Sequence, residues 1–295
     1  MSLTKYAERE GARIIIEVAR SNRAGSGDQK MEIVITMAGL GLRFKEAGYS
    51  EPKYMIKALG KTLFSWSMDS LAAFRREEDR YIFLVRKEDQ AAEFIRESAR
   101  ALGIAKSEII ELSEATDGQA TTALLASSVW RKEEPLYVYN IDTYVEPFYI
   151  TPQELRGDGF IPCFSAPGEH WSFVRLEDNN DLSSKAVEVR EKKRISDHCT
   201  LGAYYFSSCG LYEELYQEFY EEGKRLDQKG KPVGKNQGDK PDIRSEAERR
   251  ERYIAPLYDY MTGKGMEVYI SSVPKEKVHV LGTPEELNAF IGRVQ

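Results

Sequence analysis

The stretch Ile33-Val34-Ile35-Thr36-Met37-Ala38-Gly39-Leu40-Gly41-Leu42-Arg43-Phe44 decides the architecture. Its opening run is apolar and β-branched and ends at once in two glycines, which reads as a buried strand passing into a Gly-rich loop. Glycines at the carboxyl end of a strand let backbone N–H groups approach a phosphate chain closely. Arg43, together with Lys53 after Glu51-Pro52, adds charge-assisted donors that neutralise such a chain. The loop therefore predicts a nucleotide-phosphate site. Two familiar motifs fail here: a dinucleotide fingerprint needs a third glycine where Phe44 stands, and a Walker loop ending in Gly60-Lys61-Thr62 needs glycine where Met55 stands.

Outward from the loop, strands alternate with helices. Thr62 is placed to cap a helix whose apolar face holds Leu63, Phe64, Met68, Leu71 and Phe74, and Tyr81 to Val85 reads as the next strand. A helix from about Asp89 to Leu102, a strand at Ile109 to Leu112, a helix from about Gln119 to Val129 and a strand at Leu136 to Ile141 continue the alternation. That order predicts a largely parallel sheet covered on both faces. The second half has shorter connections between strands at Phe160 to Ser165, Ser172 to Leu176, Ala186 to Val189 and Leu201 to Phe206. These predict antiparallel pairs, so the expected fold is α/β and Rossmann-like, a mixed, mostly parallel sheet with helices on both faces. Thr283-Pro284-Glu285-Glu286 carries an N-cap hydroxyl, Pro at the first helical position and Glu three residues after the cap, and predicts a closing helix. Residues 1–30 read as an accessory segment ending in a Ser/Gly-rich linker. Residues 31–295 read as one domain, interrupted at about 226–250 by a polar stretch expected to be a mobile insertion.

Composition narrows the function. With 295 residues the chain can bury about 75% of its unfolded surface without disulfide or metal staples. Its net charge of −6 argues against broad electrostatic attraction to nucleic acid or an anionic membrane, so neither is an expected partner and any phosphate binding must be local. Cys163, Cys199 and Cys209 form an odd, widely spaced set, read as core thiols of a cytoplasmic protein. His198 and Cys199 would point to opposite faces of a strand, which speaks against a zinc site built on them. The oligomeric state, including a homo-oligomer, is left open.

These motifs resemble the nucleotidyltransferase superfamily of sugar-phosphate pyrophosphorylases, whose opening signature is an Ala-Gly-x-Gly-x-Arg loop followed by Pro-Lys. The resemblance covers roughly residues 32 to 292 and implies a GT-A-like nucleotidyltransferase fold. It assigns the triphosphate to Ala38, Gly39, Leu40, Gly41 and Arg43, and the attacked phosphate to Lys53. Gly60-Lys61 is similar to the family's Gly-Lys before the first helix. Asp117-Gly118-Gln119-Ala120 is similar to the segment that meets the nucleobase, so Gly118 and Gln119 are nucleotide-binding candidates. Asn140-Ile141-Asp142 is similar to the strand end that carries the metal aspartate, with Mg²⁺ as the implied cofactor. Glu191-Lys192 and Gly202 correspond to the segment that holds the sugar phosphate.

Asp142 also has a case of its own, because a carboxylate at the carboxyl end of a central parallel strand stands where α/β sheets place their ligands. The chain departs from the family at two places. Val280 stands where a second metal aspartate is usual, leaving His279 and Glu285 as neighbours that could act through water, and Ser113 stands where a base-reading glutamine is usual. The expected activity is Mg²⁺-dependent attack by a sugar 1-phosphate, or another small phosphate monoester, on the α-phosphate of a nucleoside triphosphate. The products would be an NDP-sugar or its analogue and pyrophosphate. Glycosyl transfer on a related fold and non-catalytic nucleotide-sugar binding are the alternatives.

Overall fold

The computed structural model describes residues 29–223 and 251–294. The expected linker and the insertion at 226–250 lie outside the described residues, the latter entirely and the former apart from its last two positions. The strand that opens the sequence argument forms as β1 (Glu32–Thr36) and passes through the glycine loop into the short helix α1 (Leu42–Glu46). A small hairpin, β2 (Lys57–Ala58) and β3 (Lys61–Thr62), leads into α2 (Leu63–Asp69), whose first turn is capped as expected by Thr62 Oγ1 accepting from the Ser65 N–H at 3.2 Å. Next come β4 (Arg80–Arg86), α3 (Ala92–Ala101), β5 (Ser107–Leu112), α4 (Gln119–Leu124) and β6 (Leu136–Asn140).

Strands β5, β4, β1 and β6 lie side by side and all pair in parallel. Alternation along them divides the core in two: Ile33, Ile35, Phe83, Tyr137 and Tyr139 pack in one layer, and Val34, Ile82, Leu84 and Val138 in the other. A sheet buried on both faces needs such continuous apolar strands.

Beyond β6 the pairing changes sense. A short strand β7 (Thr143–Val145) leaves the main sheet, which continues through β8 (Gly159–Phe164), β9 (Ser172–Leu176), β10 (Ala186–Glu191), β11 (His198–Thr200) and β12 (Ala203–Phe206). β12 is antiparallel to β6 and to β8, and β9 is antiparallel to β10 and β11. Helix α5 (Cys209–Tyr216) and, after the undescribed segment, α6 (Ala255–Gly263) cover this half. Then β13 (Val268–Ser272) returns to pair in parallel with β8, which gives ten strands in one sheet. The strand β14 (Val278–Val280) pairs antiparallel with β7 as a separate ribbon, and α7 (Pro284–Val294) closes the chain. Its cap is the expected one, with Thr283 Oγ1 accepting from the Glu286 N–H at 3.2 Å. All three cysteines are buried free thiols. Among the described residues no helix is long and apolar enough to cross a membrane.

The amino ends of the parallel strands are tied together by charge. Glu32, fully buried, accepts from Arg80 Nε at 2.8 Å and from Arg131 Nε at 2.7 Å, while Asp79 accepts from the Met31 N–H at 3.0 Å. Replacing Glu32 with alanine strands two guanidiniums that are only partly exposed, so the unfolding free energy in urea should fall by about 2–3 kcal/mol. A loss well under 1 kcal/mol would show that both arginines re-solvate freely.

Candidate active site

The carboxyl ends of the parallel strands open into one cleft with two lobes. The larger lobe, about 1060 Å³, is walled by residues 36–44, Lys53 and the loop 115–119. The smaller, about 310 Å³, is walled by Ser172, Glu191, Thr200, Gly202 and Tyr204 among others. Both lobes share Arg43, Gln119, Asn140, Asp142, Tyr253 and Gly282, so they meet along a line of polar side chains.

Each of these groups is held by the local chain. Gly41 adopts φ 63°, which turns the loop into α1 and leaves the Arg43 guanidinium in the cleft, where it makes no hydrogen bond or ion pair among the described residues. Lys53 opens a single 3-10 turn, Lys53–Met55, behind Pro52. Its ammonium lies 2.5 Å from Asp142 Oδ1, with the lysine side chain 14% exposed and the aspartate 34%. A Cβ on Gly39 would stand 3.9 Å from the same ammonium, so the glycine loop lies against it. Gln119 lines both lobes while its amide donates to Thr36 Oγ1 at 3.1 Å. Asn140 Oδ1 is buried with no hydrogen-bond partner among the described residues.

In the smaller lobe, Glu191 accepts a short hydrogen bond from the Ser172 hydroxyl. Gly202, at φ 80°, lies so close to the Asn140 amide that a Cβ there would stand 2.1 Å from its Nδ2. Lys192 follows β10 with φ 51°, unusual for a lysine, and its N–H donates to Trp171 O at 2.9 Å. Its ammonium donates to the hydroxyl of Tyr253 at 2.7 Å, so Lys192 is bonded to a residue that lines both lobes while lining neither itself. The residues assigned from the sequence to binding or catalysis thus line one lobe or the other, except Lys192, which is bonded to Tyr253 beside them, whereas the neighbours His279 and Glu285 line neither.

Two residues that sequence reasoning passed over also reach it. Glu286, read there only as part of a cap, lines the smaller lobe. The point where a Cβ of Gly282 would stand is 3.4 Å from Glu286 Oε2 and 3.8 Å from Asp142 Oδ2, so the two carboxylates flank one spot. The helical period carries the signal: position 286 lies one turn into α7, on the side of its Thr283 cap. Glu285 is exposed and lines neither lobe. Tyr253 is the other, and no local motif marks it.

His279 is turned away from the cleft. It stacks on Tyr144 with centroids 5.3 Å apart, and its Nε2 is 3.8 Å from Glu146 Oε1. Burial lowers its pKa, Glu146 opposes that, and Arg293 and Lys277 add to it. The unfolded chain then binds the extra proton, so the stability His279 contributes is complete above the ordinary imidazole value of about 6.5 and is lost as the pH falls through it. The thermal midpoint should drop between pH 7 and pH 5.5, and drop less in His279→Phe. Equal slopes in the two proteins would refute this.

Comparison with known proteins adds the family. A nucleoside-diphosphate-sugar pyrophosphorylase from Vibrio cholerae RC9 is 34% identical to this chain, covers 88% of it and 99% of its own length, and superposes with a TM-score of 0.72. The chain belongs to that family. Two more distant structures share the fold alone. The inositol-1-phosphate CTP transferase from T. maritima is 14% identical with a TM-score of 0.65, covering 91% of this chain and 96% of its own. The CTP:phosphocholine cytidylyltransferase from Streptococcus pneumoniae is 12% identical with a TM-score of 0.63, covering 90% of this chain and all of its own. No protein-family model and no curated protein matches the sequence. Membership identifies the chain as an enzyme of the nucleotidyltransferase class, and the expected α/β architecture is the one found.

Proposed function

We propose that the enzyme joins a nucleoside triphosphate to a sugar 1-phosphate, or to another small phosphate monoester, with release of pyrophosphate. The observation that carries this reading is the junction of the two lobes, where Arg43 and Asp142 line both and Lys53 is ion-paired to Asp142. Two phosphorylated substrates filling the lobes would meet there. A phosphate oxygen is a nucleophile at neutral pH without a base, so the protein has to align the two groups and neutralise charge.

In this reading the glycine loop, with Ala38, Gly39, Leu40 and Gly41, and the Gly118-Gln119 turn hold the nucleotide. Arg43 takes the departing pyrophosphate and Lys53 steadies the attacked phosphate. Glu191, Gly202 and Lys192 hold the acceptor, with the lysine on its phosphate. Mg²⁺ suits the donors present, since Asp142 and Glu286 offer hard oxygen ligands and magnesium takes the rest of its shell from water and phosphates. Bound there it would supply neutralising charge to the triphosphate. Glycosyl transfer is less well supported, because the positions after Asp142 are the buried Thr143 and Tyr144 and add no carboxylate.

A matrix of triphosphates against phosphorylated sugars and alcohols, read as pyrophosphate release with and without Mg²⁺, tests the reading. Turnover of at least one pair, dependent on the metal, is expected. No turnover of any pair would sink it.

A further inference from the structure

Tyr253 touches more of the cleft than any motif in the sequence suggests. Its residue lines both lobes. Its hydroxyl accepts from Lys192 Nζ at 2.7 Å and donates to the Glu251 carboxylate, and the same ammonium lies 4.8 Å from the ring centroid. Its carbonyl accepts from the Tyr220 hydroxyl at 2.5 Å. The residue before it is fastened to the other lobe: the Arg252 N–H donates to Asp117 O at 2.8 Å, Arg252 O accepts from the Ala120 N–H at 2.9 Å, and Arg252 Nε lies 3.0 Å from Asp117 Oδ2. Residues 251–253 thus form a strap, bonded through backbone to the Asp117-Gly118 turn and through one hydroxyl to Lys192.

We propose that Tyr253 is a positioning residue for the acceptor phosphate: its hydroxyl holds the Lys192 ammonium beside the smaller lobe, from a strap anchored on the nucleotide lobe. This rests on the reading that Lys192 binds that phosphate. A lysine has four rotatable bonds and a strongly hydrated head, so an unrestrained ammonium loses more freedom on capturing a phosphate than one already held. The left-handed backbone of Lys192 fixes where its side chain starts, and the Tyr253 hydroxyl fixes where it ends. Carboxylate, hydroxyl and ammonium form a chain in which the tyrosine hydroxyl donates to Glu251 and its oxygen accepts from the lysine.

The test is a kinetic double-mutant cycle between Tyr253→Phe and Lys192→Ala, run with whichever substrate pair turns over best in the matrix. The Phe variant keeps the ring and removes only the hydroxyl. It should raise the acceptor KM about tenfold, the scale of one hydrogen bond to a charged group. The triphosphate KM and kcat should stay within about threefold of wild type. Lys192→Ala should raise the acceptor KM at least as much, and the double variant should be no worse than Lys192→Ala alone. Thermal midpoints check that each variant folds, and Glu251→Gln, an exposed position, should shift the acceptor KM in the same direction if Tyr253→Phe does not fold. Additive effects in the cycle, or an unchanged acceptor KM in Tyr253→Phe, would overturn the proposal while leaving the role of Lys192 intact. An unchanged acceptor KM in Lys192→Ala would overturn that role and the proposal together.

Discussion

Lys53→Ala should lower the rate of pyrophosphate release by about a hundredfold or more, the scale for losing one preorganised donor to developing charge. Its ammonium is largely buried, lies against Gly39 and is 2.5 Å from Asp142, so alanine does two things at once. It removes a cation aimed at the junction of the lobes, and it leaves the Asp142 carboxylate uncompensated where a triphosphate must enter. Lys53→Arg keeps the charge but not the compact head, and should recover only part of the rate. Asp142→Asn separates the two effects. It frees Lys53 and removes the repulsion, yet should still abolish turnover if the carboxylate holds Mg²⁺, while calorimetric titration of the preformed complex of Mg²⁺ with a non-hydrolysable triphosphate into the protein should show weaker binding than to wild type. Arg43→Ala should match Lys53→Ala in rate but leave the thermal midpoint unchanged, since its guanidinium has no partner to lose among the described residues. Activity within a few-fold of wild type in both lysine and arginine variants would refute the assignment.

Gly118→Ala should be nearly as damaging, for a steric reason. The position combines φ 150° with a close approach of backbone: a Cβ there would stand 2.4 Å from Arg252 O, 2.6 Å from its N and 2.8 Å from its C. None of these atoms can rotate away, so the strap must lift off the turn and lose the bonds from Arg252 N–H to Asp117 O and from Ala120 N–H to Arg252 O. Overpacking of this kind costs about 1–3 kcal/mol. Because the strap carries Tyr253, the triphosphate and acceptor KM values should both rise, by about tenfold or more on that scale. Gly41→Ala is the control. It shares a positive φ, 63°, but has nothing within 4 Å of its Cβ, so it should show backbone strain of only about 1 kcal/mol. Similar losses in the two variants would mean that φ, and not the strap, explains Gly118.

The parts of this molecule legible in its sequence are those whose cause is local. The run Ile33–Met37 announces β1 by composition, Thr62 and Thr283 announce helices by their hydroxyls, Arg43 follows the glycine loop after β1, and Asp142 stands just past the end of β6, which the alternation of strands and helices predicts. What was not legible depends on distant pairing. β13 enters the sheet in parallel beside β8, more than a hundred residues earlier in the chain, and the β7–β14 ribbon joins two three-residue strands. The strap at 251–253 is shorter still and polar, with no period to read, and its partner is the turn at Asp117. Glu286 was seen as a cap because its backbone is one. The helical period puts it on the Thr283 side of α7, but its second use as a wall of the cleft also depends on where α7 docks, which no local pattern states.

The knot of Glu32 with Arg80 and Arg131 lies at the amino ends of β1 and β4 and just before β6, whereas the cleft opens at their carboxyl ends. Robustness and reactivity are thereby assigned to opposite poles of the same strands. A chain built this way can drift or be engineered at one pole without negotiating with the other. Tighter packing around Arg131, whose side chain is 40% exposed, offers a route to a hardier catalyst with unaltered selectivity. Alterations to what the enzyme accepts would be confined to the loops and strap at the far end.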